Sequence, residues 1–204
     1  MRSASRYLRL MLILVGAAAP TARWRRAAYN LVPRYRIDAR ADIGFLNLID
    51  VDSADIGAVS MGRSNVFRGP CALVVEPGVR FGSRNRVKCG AFVTEPAFAK
   101  AGYARSARFC ESSAVTSGHF IDATGGFTLG PGSWLAGEGT QIWTHGAGAT
   151  DRSVTVGADC YVGSRCLFSP GSALADVTLV SLRAGSRRIL VPGWEAYSLV
   201  AYRR

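Results

Sequence analysis

The sequence predicts an all-β chain that folds as a left-handed parallel β-helix of hexapeptide repeats, with a short N-terminal helical segment and one inserted loop. The first observation behind this prediction is an apolar residue that recurs every six positions. The second is a supply of 23 glycines spread along the 204 residues, which is typical of many tight turns. The third is a composition of 49% apolar and 19% charged residues, which is typical of one folded domain with its own core.

The six-residue spacing is clearest after residue 154, where five apolar positions follow one another: Val156, Val162, Phe168, Leu174 and Val180. Earlier copies of the pattern are Ile37, Ile43 and Ile49, then Val75, Phe81, Val87 and Val93, then Val115, Ile121 and Phe127, and finally Leu129 and Leu135. A period of six is neither the helix period nor plain strand alternation. It suits a short strand and a turn every six residues, closing a triangular coil after three, so that Val75 stacks on Val93.

The same pattern sets the domain organisation. Residues 1–36 form a basic and apolar helical segment, residues 37–192 form the repeat body, and residues 193–204 form a C-terminal tail. Within the body, residues 94–114 break the six-residue spacing and are expected to leave the coil as a loop. Insertions of this kind tend to lie on the binding face of repeat proteins.

Positive charge is concentrated at the two ends of the chain. Nine arginines and one acid, Asp38, lie in residues 1–40, so +8 of the net charge of +11 belongs to that segment. Basic ends predict an anionic partner, either a phosphate-bearing cofactor, acidic lipid headgroups or nucleic acid. Nucleic acid is disfavoured, because the sequence has no helix-turn-helix, zinc-finger or RNA-binding signature.

The N-terminus has two interpretations. Arginines at 2, 6 and 9 precede an apolar run from Leu10 to Ala19, which is the outline of a signal peptide. The alternative is a retained helix that caps the body or lies on a membrane surface, since the run is too short to span a bilayer. We favour the retained helix, which leaves peripheral membrane contact through the N-terminus open.

Cysteine and histidine usage argues against a metal site. The five cysteines contain no CxxC pair, and the chain has only two histidines, so a zinc centre lacks ligands. We expect the cysteines to be reduced and mostly buried, as in a cytoplasmic protein.

One part of the body resembles a known family. Residues 118–146 read GHFIDATGGFTLGPGSWLAGEGTQIWTHG, and residues 154–172 read VTVGADCYVGSRCLFSPGS. These segments resemble the active-site coils of the hexapeptide-repeat acyltransferases, especially those that O-acetylate sugars in polysaccharide or glycolipid synthesis. The resemblance implies a homotrimer, with acyl-CoA in the groove between neighbouring coils. The chain departs from the family after Gly185 and Ser186, where Arg187 follows in place of the usual closing segment.

His145 is the candidate general base. Acyl transfer from a thioester to a hydroxyl needs a base, and neutral histidine suits that task near neutral pH. His119 has two interpretations, a second residue that faces the sugar or a structural histidine bonded to neighbouring backbone. Asp122 is able to orient either imidazole and to favour one tautomer.

Other candidate substrate contacts surround His145 in the sequence. Trp134 and Trp143 are expected either to form an apolar platform for a sugar ring or the pantetheine arm, or to pack on the exterior or between subunits. Gln141 interrupts the apolar spacing two residues before Trp143, and is expected to point at the acceptor.

Acetyl-CoA is the expected acyl donor. Backbone N–H groups near Gly137 and Gly163 are candidates to stabilise charge on the thioester oxygen. Near the end of the body, Gly185, Ser186 and Arg187 are candidate contacts to the cofactor, with the arginine on its phosphates. A CoA donor predicts a cytoplasmic location, at or near the inner face of the membrane.

Three other functions remain open at this point. One is N-acylation of an amino sugar on the same fold. Another is a non-catalytic scaffold, and a third is a secreted adhesin that uses the signal-like start.

Overall fold

The computed structural model describes residues 2–98, 100–146, 148–180 and 195–197. The helices are α1 Arg2–Ala18 and α2 Ala22–Asn30, with two short 3₁₀ helices at Ala91–Thr94 and Pro96–Phe98. The strands are β1 Tyr35–Ile37, β2 Asp42–Ile43, β3 Leu48–Ile56, β4 Ser60–Met61, β5 Val66–Val75, β6 Arg80–Phe81, β7 Arg86–Lys88, β8 Ser106–Phe109, β9 Ala114–Val115, β10 Phe120–Asp122, β11 Phe127–Leu129, β12 Trp134–Leu135, β13 Gln141–Ile142, β14 Val154–Val156, β15 Tyr161–Val162, β16 Leu167–Phe168, β17 Ala173–Leu174, β18 Thr178–Val180 and β19 Glu195–Tyr197.

The strands form two parallel sheets. The larger sheet has 11 strands in the order β16-β13-β10-β7-β5-β8-β11-β14-β17, with β3 also paired to β5 and β1 paired to β3. The smaller sheet has eight, in the order β19-β18-β15-β12-β9-β6-β4-β2. Asp42 of β2 pairs with Ser60 of β4, so one step along this sheet takes three six-residue repeats. The steps from β6 to β9 and from β12 to β15 take more residues. The two long steps contain the loops that flank His145.

The prediction of an all-β left-handed β-helix is wrong. Helices of 17 and 9 residues are part of the core, and the parallel sheets with their helices form an α/β-like arrangement in which one sheet turns through 299° as a half-barrel. The reason lies in β3 and β5, which are nine and ten residues long. Each continues through a corner where the six-residue spacing predicts that one strand ends and another begins. Two predicted faces therefore merge into one curved sheet.

The inserted loop also begins and ends earlier than predicted. Residues 106–109 form β8, which pairs with both β5 and β11, so they belong to the sheet and not to the predicted loop 94–114. Val93, expected to stack on Val75, lies in a 3₁₀ helix, and Val75 pairs with Phe109. The chain leaves the sheet after Lys88 and returns at Ser106.

The core follows the repeating apolar positions, whose burial is confirmed for nearly all of them. Its centre is a row of four aromatic rings, Phe67, Phe81, Phe109 and Phe127, with neighbouring centroids 4.7–5.6 Å apart. The five cysteines, all in the described part, form no disulfide, and four of them are buried, as expected.

A ladder of buried polar side chains runs beside this core. Its rungs are Asn47, Asn65, Asn85, His119 and Thr140. Each of the first four rungs accepts a hydrogen bond from the main-chain N–H of the next, at 2.9–3.2 Å. Because buried N–H groups are costly when unpaired, the ladder stabilises the corner that the strands leave open.

The two helices cap the first strands of both sheets. Arg25 donates from Nε to the carbonyl of Ile43 at 2.6 Å, and Arg26 donates to the carbonyl of Ala41 at 2.7 Å. These carbonyls lie at an edge that has no further strand among the described residues, so the arginines protect it from pairing with another chain. No helix in the described part of the chain is both long and apolar enough to cross a bilayer.

Candidate active site

His145 and Asp122 meet at the ends of neighbouring strands in the larger sheet. Asp122 is the last residue of β10, and His145 follows β13 after Trp143 and Thr144. The imidazole Nδ1 lies 2.5 Å from Asp122 Oδ2. The carboxylate side chain is 4% exposed, whereas the imidazole is 35% exposed. Of the two histidines, Asp122 orients His145.

Asp122 is held by four further hydrogen bonds. Its Oδ1 accepts from the Thr124 N–H at 3.0 Å and the Thr124 hydroxyl at 2.5 Å. Its Oδ2 accepts from the Thr144 N–H at 2.9 Å and the Thr144 hydroxyl at 2.8 Å. Burial raises the pKa of Asp122, but the hydrogen bonds from Thr124, His145 and Thr144 outweigh burial and hold that pKa below its usual value.

An ionised Asp122 fixes the tautomer of His145. The carboxylate has no proton to give, so Nδ1 donates to it and Nε2 is the unprotonated, accepting nitrogen in the neutral ring. Among the described residues, Nε2 has no hydrogen-bond partner, and no serine or cysteine side chain bonds to the imidazole. The arrangement is that of an oriented base whose accepting edge is open to a ligand.

Aromatic rings border the imidazole on two sides. The Phe92 ring centroid lies 5.5 Å from that of His145, and the Trp143 centroid lies 6.4 Å away. Trp143 packs on Phe120 at 4.7 Å, and its Nε1 donates to Gln141 Oε1 at 3.2 Å. This bond orients the indole and leaves the Gln141 amide N–H groups for another partner.

The two loops beside His145 are tied together by Arg152. Its Nη1 donates to the carbonyl of Ala101 at 2.6 Å, and its guanidinium lies over the Tyr103 ring, 4.5 Å from the centroid. The loop after β7 therefore reaches the site, although Phe92, its closest ring to His145, precedes the predicted insertion at 94–114.

No protein-family model, curated protein or solved structure matches this chain. What the site is able to do follows from its own residues. Within the described residues, no group of three or more histidine, cysteine and acidic side chains is arranged to hold a metal ion.

His119 lies in the polar ladder and not in the site. Its side chain is 1% exposed, Nδ1 accepts from the Thr140 N–H at 3.2 Å, and Nε2 lies 2.9 Å from the Thr116 hydroxyl. Burial lowers its pKa from 6.5 to about 4, so the ring is neutral. Of the two predicted roles, the geometry corresponds to the structural histidine, because a ring that is 1% exposed has no open face for a sugar.

The other predicted contacts divide between the site and distant surfaces. Trp143 and Gln141 border His145, and Asp122 lies beneath it as a positioning residue, so it is not a substrate contact. Trp134 lies on the smaller sheet, where it packs near Tyr161 and Arg80 lies 5.5 Å from its ring centroid. It does not share a surface with the imidazole in any described contact.

The predicted donor contacts are also rearranged. The Gly163 N–H already donates to the Val180 carbonyl at 2.8 Å, so it is not available to a thioester oxygen. Gly137 is exposed with φ of +68°, and a Cβ there would lie 1.8 Å from Ser164 Oγ, so this glycine permits a tight turn. Gly185, Ser186 and Arg187 lie outside the described residues.

The sequence reasoning missed the residues that complete the site. Thr124 and Thr144 donate hydrogen bonds to Asp122. The only sequence signal for them is that Thr124 lies two residues after Asp122 and Thr144 directly precedes His145. Phe92 was not recognised as a site residue because the six-residue spacing selected its neighbour, Val93, as a core position.

A strip of cations beside the site was missed as well. Arg68 pairs in register with Lys88, and Lys88 pairs with Asp122. Arg86 is two residues before Lys88, on the same face of β7. All three are exposed, and none has an ion-pair partner in the part of the chain that the structure describes. Like charges on directly opposite positions of neighbouring strands are destabilising, so this strip favours an anionic ligand.

Proposed function

We propose that the protein is a CoA-dependent acyltransferase that moves an acyl group, acetyl by default, from acyl-CoA to a hydroxyl of a sugar in polysaccharide or glycolipid synthesis. The observation that carries the proposal is the 2.5 Å contact between His145 Nδ1 and a buried, ionised Asp122, with Nε2 at the open edge. Such a pair supplies a base of fixed orientation.

The mechanism is direct attack by the acceptor. Nε2 of His145 takes the proton of the sugar hydroxyl as its oxygen bonds to the thioester carbonyl carbon. The carbon–sulfur bond then breaks, the CoA thiolate leaves, and the imidazolium returns the proton to the sulfur. Asp122 stabilises the imidazolium in between and keeps Nδ1 protonated throughout.

An external nucleophile is favoured over a covalent acyl-enzyme. A nucleophilic serine or cysteine would lie within hydrogen-bond reach of its base, and His145 has no such contact among the described residues. The half-exposed Trp143 ring, next to the base, offers an apolar face of the kind on which sugar rings stack. Gln141, which fixes that ring, has amide donors for a second acceptor hydroxyl.

The cationic strip supports a phosphate-bearing donor. The strip begins beside the pair formed by His145 and Asp122, here called the dyad, and extends across β7 and β5 through Lys88, Arg86 and Arg68. Neighbouring strands are about 4.8 Å apart. Arginine and lysine are the side chains that bind phosphate oxygens. We assign the CoA phosphates to this strip.

The donor is a cytosolic compound, so the proposal places the protein in the cytoplasm. The resemblance of residues 118–172 to sugar O-acetyltransferases supports the acceptor class and a homotrimer. A sedimentation mass equal to that of one chain would contradict the trimer and leave the chemistry untouched.

The test is release of CoA thiol from acetyl-CoA with the full-length protein and a panel of sugar and amino-sugar acceptors. Wild-type turnover is expected to depend on a hydroxyl acceptor, and His145→Ala is expected to lose about 10²–10⁴-fold in kcat. His119→Asn, at the other histidine, is the matched control and is expected to keep its activity.

Each of the other outcomes favours another function. Turnover only with amines indicates N-acylation, and thiol release without acceptor indicates a hydrolase. Equal rates for wild type and His145→Ala would remove the dyad from the mechanism. Absence of both turnover and acetyl-CoA binding would favour the scaffold.

A further inference from the structure

The outward face of α1 is apolar along most of its length. Between residues 7 and 18, every exposed side chain is apolar, and the large ones are 39–67% exposed: Tyr7, Leu8, Leu10, Met11, Leu14 and Val15. These positions cover one side of the helix, because residues three, four and seven apart share a face. Exposed apolar areas of this size on a folded chain mark an interaction surface.

The opposite face of α1 is fully used by the protein itself. Ile13 is 1% exposed, and a Cβ at Gly16 would lie 2.8 Å from the Tyr29 ring of α2, so the helices are in close contact. Arg9, the one charged side chain in this stretch, donates to Asp50 Oδ1 at 3.1 Å and to the Val51 carbonyl at 2.6 Å. The outward face is thus not a core face left open by a loosely placed helix.

The apolar surface continues beyond α1. The Leu46 N–H donates to the Ala17 carbonyl at 2.7 Å, which places the half-exposed Phe45 and Leu46 beside the end of the helix. On α2, Trp24 is 66% exposed. Tyr7, on α1 itself, is 67% exposed, and exposed tyrosine and tryptophan are typical of the boundary between lipid headgroups and acyl chains.

The helical segment that carries this surface is strongly basic. Residues 1–37 contain eight arginines and no acid. Arg6, Arg23 and Arg34 are exposed and have no acidic partner among the described residues. A second copy of the chain would bring the same positive charges together, whereas anionic lipid would neutralise them at about 1 kcal/mol per arginine near the surface.

We propose that this surface, formed by the outward face of α1 with Phe45 and Leu46, binds an anionic lipid bilayer, with α1 lying in the membrane plane. The 17-residue helix is about 25 Å long at 1.5 Å per residue, shorter than the hydrocarbon core of roughly 30 Å. Its apolar side would be immersed at the headgroup boundary, and the arginines would contact lipid phosphates.

The test is flotation of the full-length protein with vesicles of two compositions, phosphatidylcholine alone and equal parts phosphatidylglycerol and phosphatidylcholine. Wild type is expected to float with the anionic vesicles and to bind more weakly in high salt. The double variant Met11→Gln, Leu14→Gln is expected to lose about 10- to 100-fold in vesicle partitioning, because two large side chains no longer enter the bilayer.

The matched control is Leu167→Gln, which alters an equally exposed leucine, 67% exposed, on β16. It is expected to bind vesicles like wild type. Both altered positions of the double variant are exposed, so its circular dichroism and thermal midpoint should match those of the control.

Two results would overturn the proposal. One is equal partitioning of wild type and the double variant at matched stability. The other is an absence of vesicle binding in wild type. In that case, a sedimentation mass that is lower for the double variant than for wild type and the control would identify a second copy of the chain as the occupant. Neither result depends on acyl transfer, so the two proposals fail separately.

Discussion

Replacement of His119 by asparagine is the substitution whose effect the structure defines most fully. The three rungs before His119 in the polar ladder are asparagines, and each accepts the main-chain N–H of the next rung through its amide oxygen. An asparagine at 119 would accept the Thr140 N–H in the same way, so the fold is expected to be kept. What the variant removes is a group that titrates.

The magnitude follows from the pKa of His119, which burial lowers to about 4 from 6.5. Between these values the unfolded chain binds a proton that the folded chain does not bind, so the free energy of unfolding falls as the pH is lowered. At about 1.4 kcal/mol per pH unit, His119 makes the free energy of unfolding about 2 kcal/mol lower near pH 5 than near pH 7. Its full effect of about 3 kcal/mol is reached below pH 4.

The assay is urea unfolding of wild type and His119→Asn at a series of pH values between about 7 and 5, a window above the titration of most carboxylates. The wild-type curve is expected to fall by about 2 kcal/mol more than that of the variant over this range. Parallel curves would refute the placement of His119 as a buried neutral rung. A stable variant with normal pH dependence but no turnover would instead return His119 to the substrate.

Three further variants test the site and the sheets. Asp122→Asn turns one acceptor into an amide donor against the Thr124 or Thr144 N–H, and is expected to lower kcat about 10²-fold or more in the thiol-release assay; wild-type kcat would contradict the dyad. Arg68→Gln combined with Lys88→Gln is expected to raise the KM for acetyl-CoA about 10-fold at low salt, with kcat and the acceptor KM unchanged; an unchanged KM would remove the strip from donor binding. Gly130→Ala would place a Cβ 2.1 Å from the carbonyl oxygen of Gly157, and is expected to cost about 1–3 kcal/mol in urea unfolding; full stability would contradict the close approach of these two segments.

The apolar spacing was sufficient to predict which residues point inward. Ile43, Ile121, Leu135 and Val162 are each fully buried at the positions that the six-residue period predicts. Whether a side chain is buried depends on the alternation of inward and outward positions along a strand and on the length of the next turn. Both can be determined from a short stretch of sequence.

The number of sheets depended on a feature that the period does not show. In β5 the strand continues through Gly69, which has φ of +118°, followed by Pro70. A glycine inside a strand is a known sign of a bend or bulge. If Gly69 is interpreted as a turn, the sequence predicts two separate strands. In the structure, Gly69 instead bends one strand, and the two predicted faces become a single curved sheet.

The sequence pointed to His145 but left open which of the two histidines Asp122 orients. His119 and Asp122 are close in the sequence, which suggests a pair, yet one lies in the buried ladder and the other bonds to a different histidine at the end of β10. His145 is distant from Asp122 in the sequence, and the two meet only because β10 and β13 are neighbours. The cationic strip likewise depends on the register of Lys88 against Asp122, across a long step that contains the loop after β7.

The polar ladder has a consequence for how such a chain changes in length. A rung requires only a side-chain acceptor below the next main-chain N–H, and asparagine, histidine and threonine all serve. Duplication or loss of one whole segment between rungs, such as residues 48–65, would leave every remaining rung with a partner. The segments between rungs already differ in length, from 18 to 34 residues, so extra residues are also tolerated where they leave as a loop and return before the next rung. Evolutionary change in this protein is therefore expected to keep the rungs and to vary the lengths of the segments between them, including the loop after β7, which lies between Asn85 and His119.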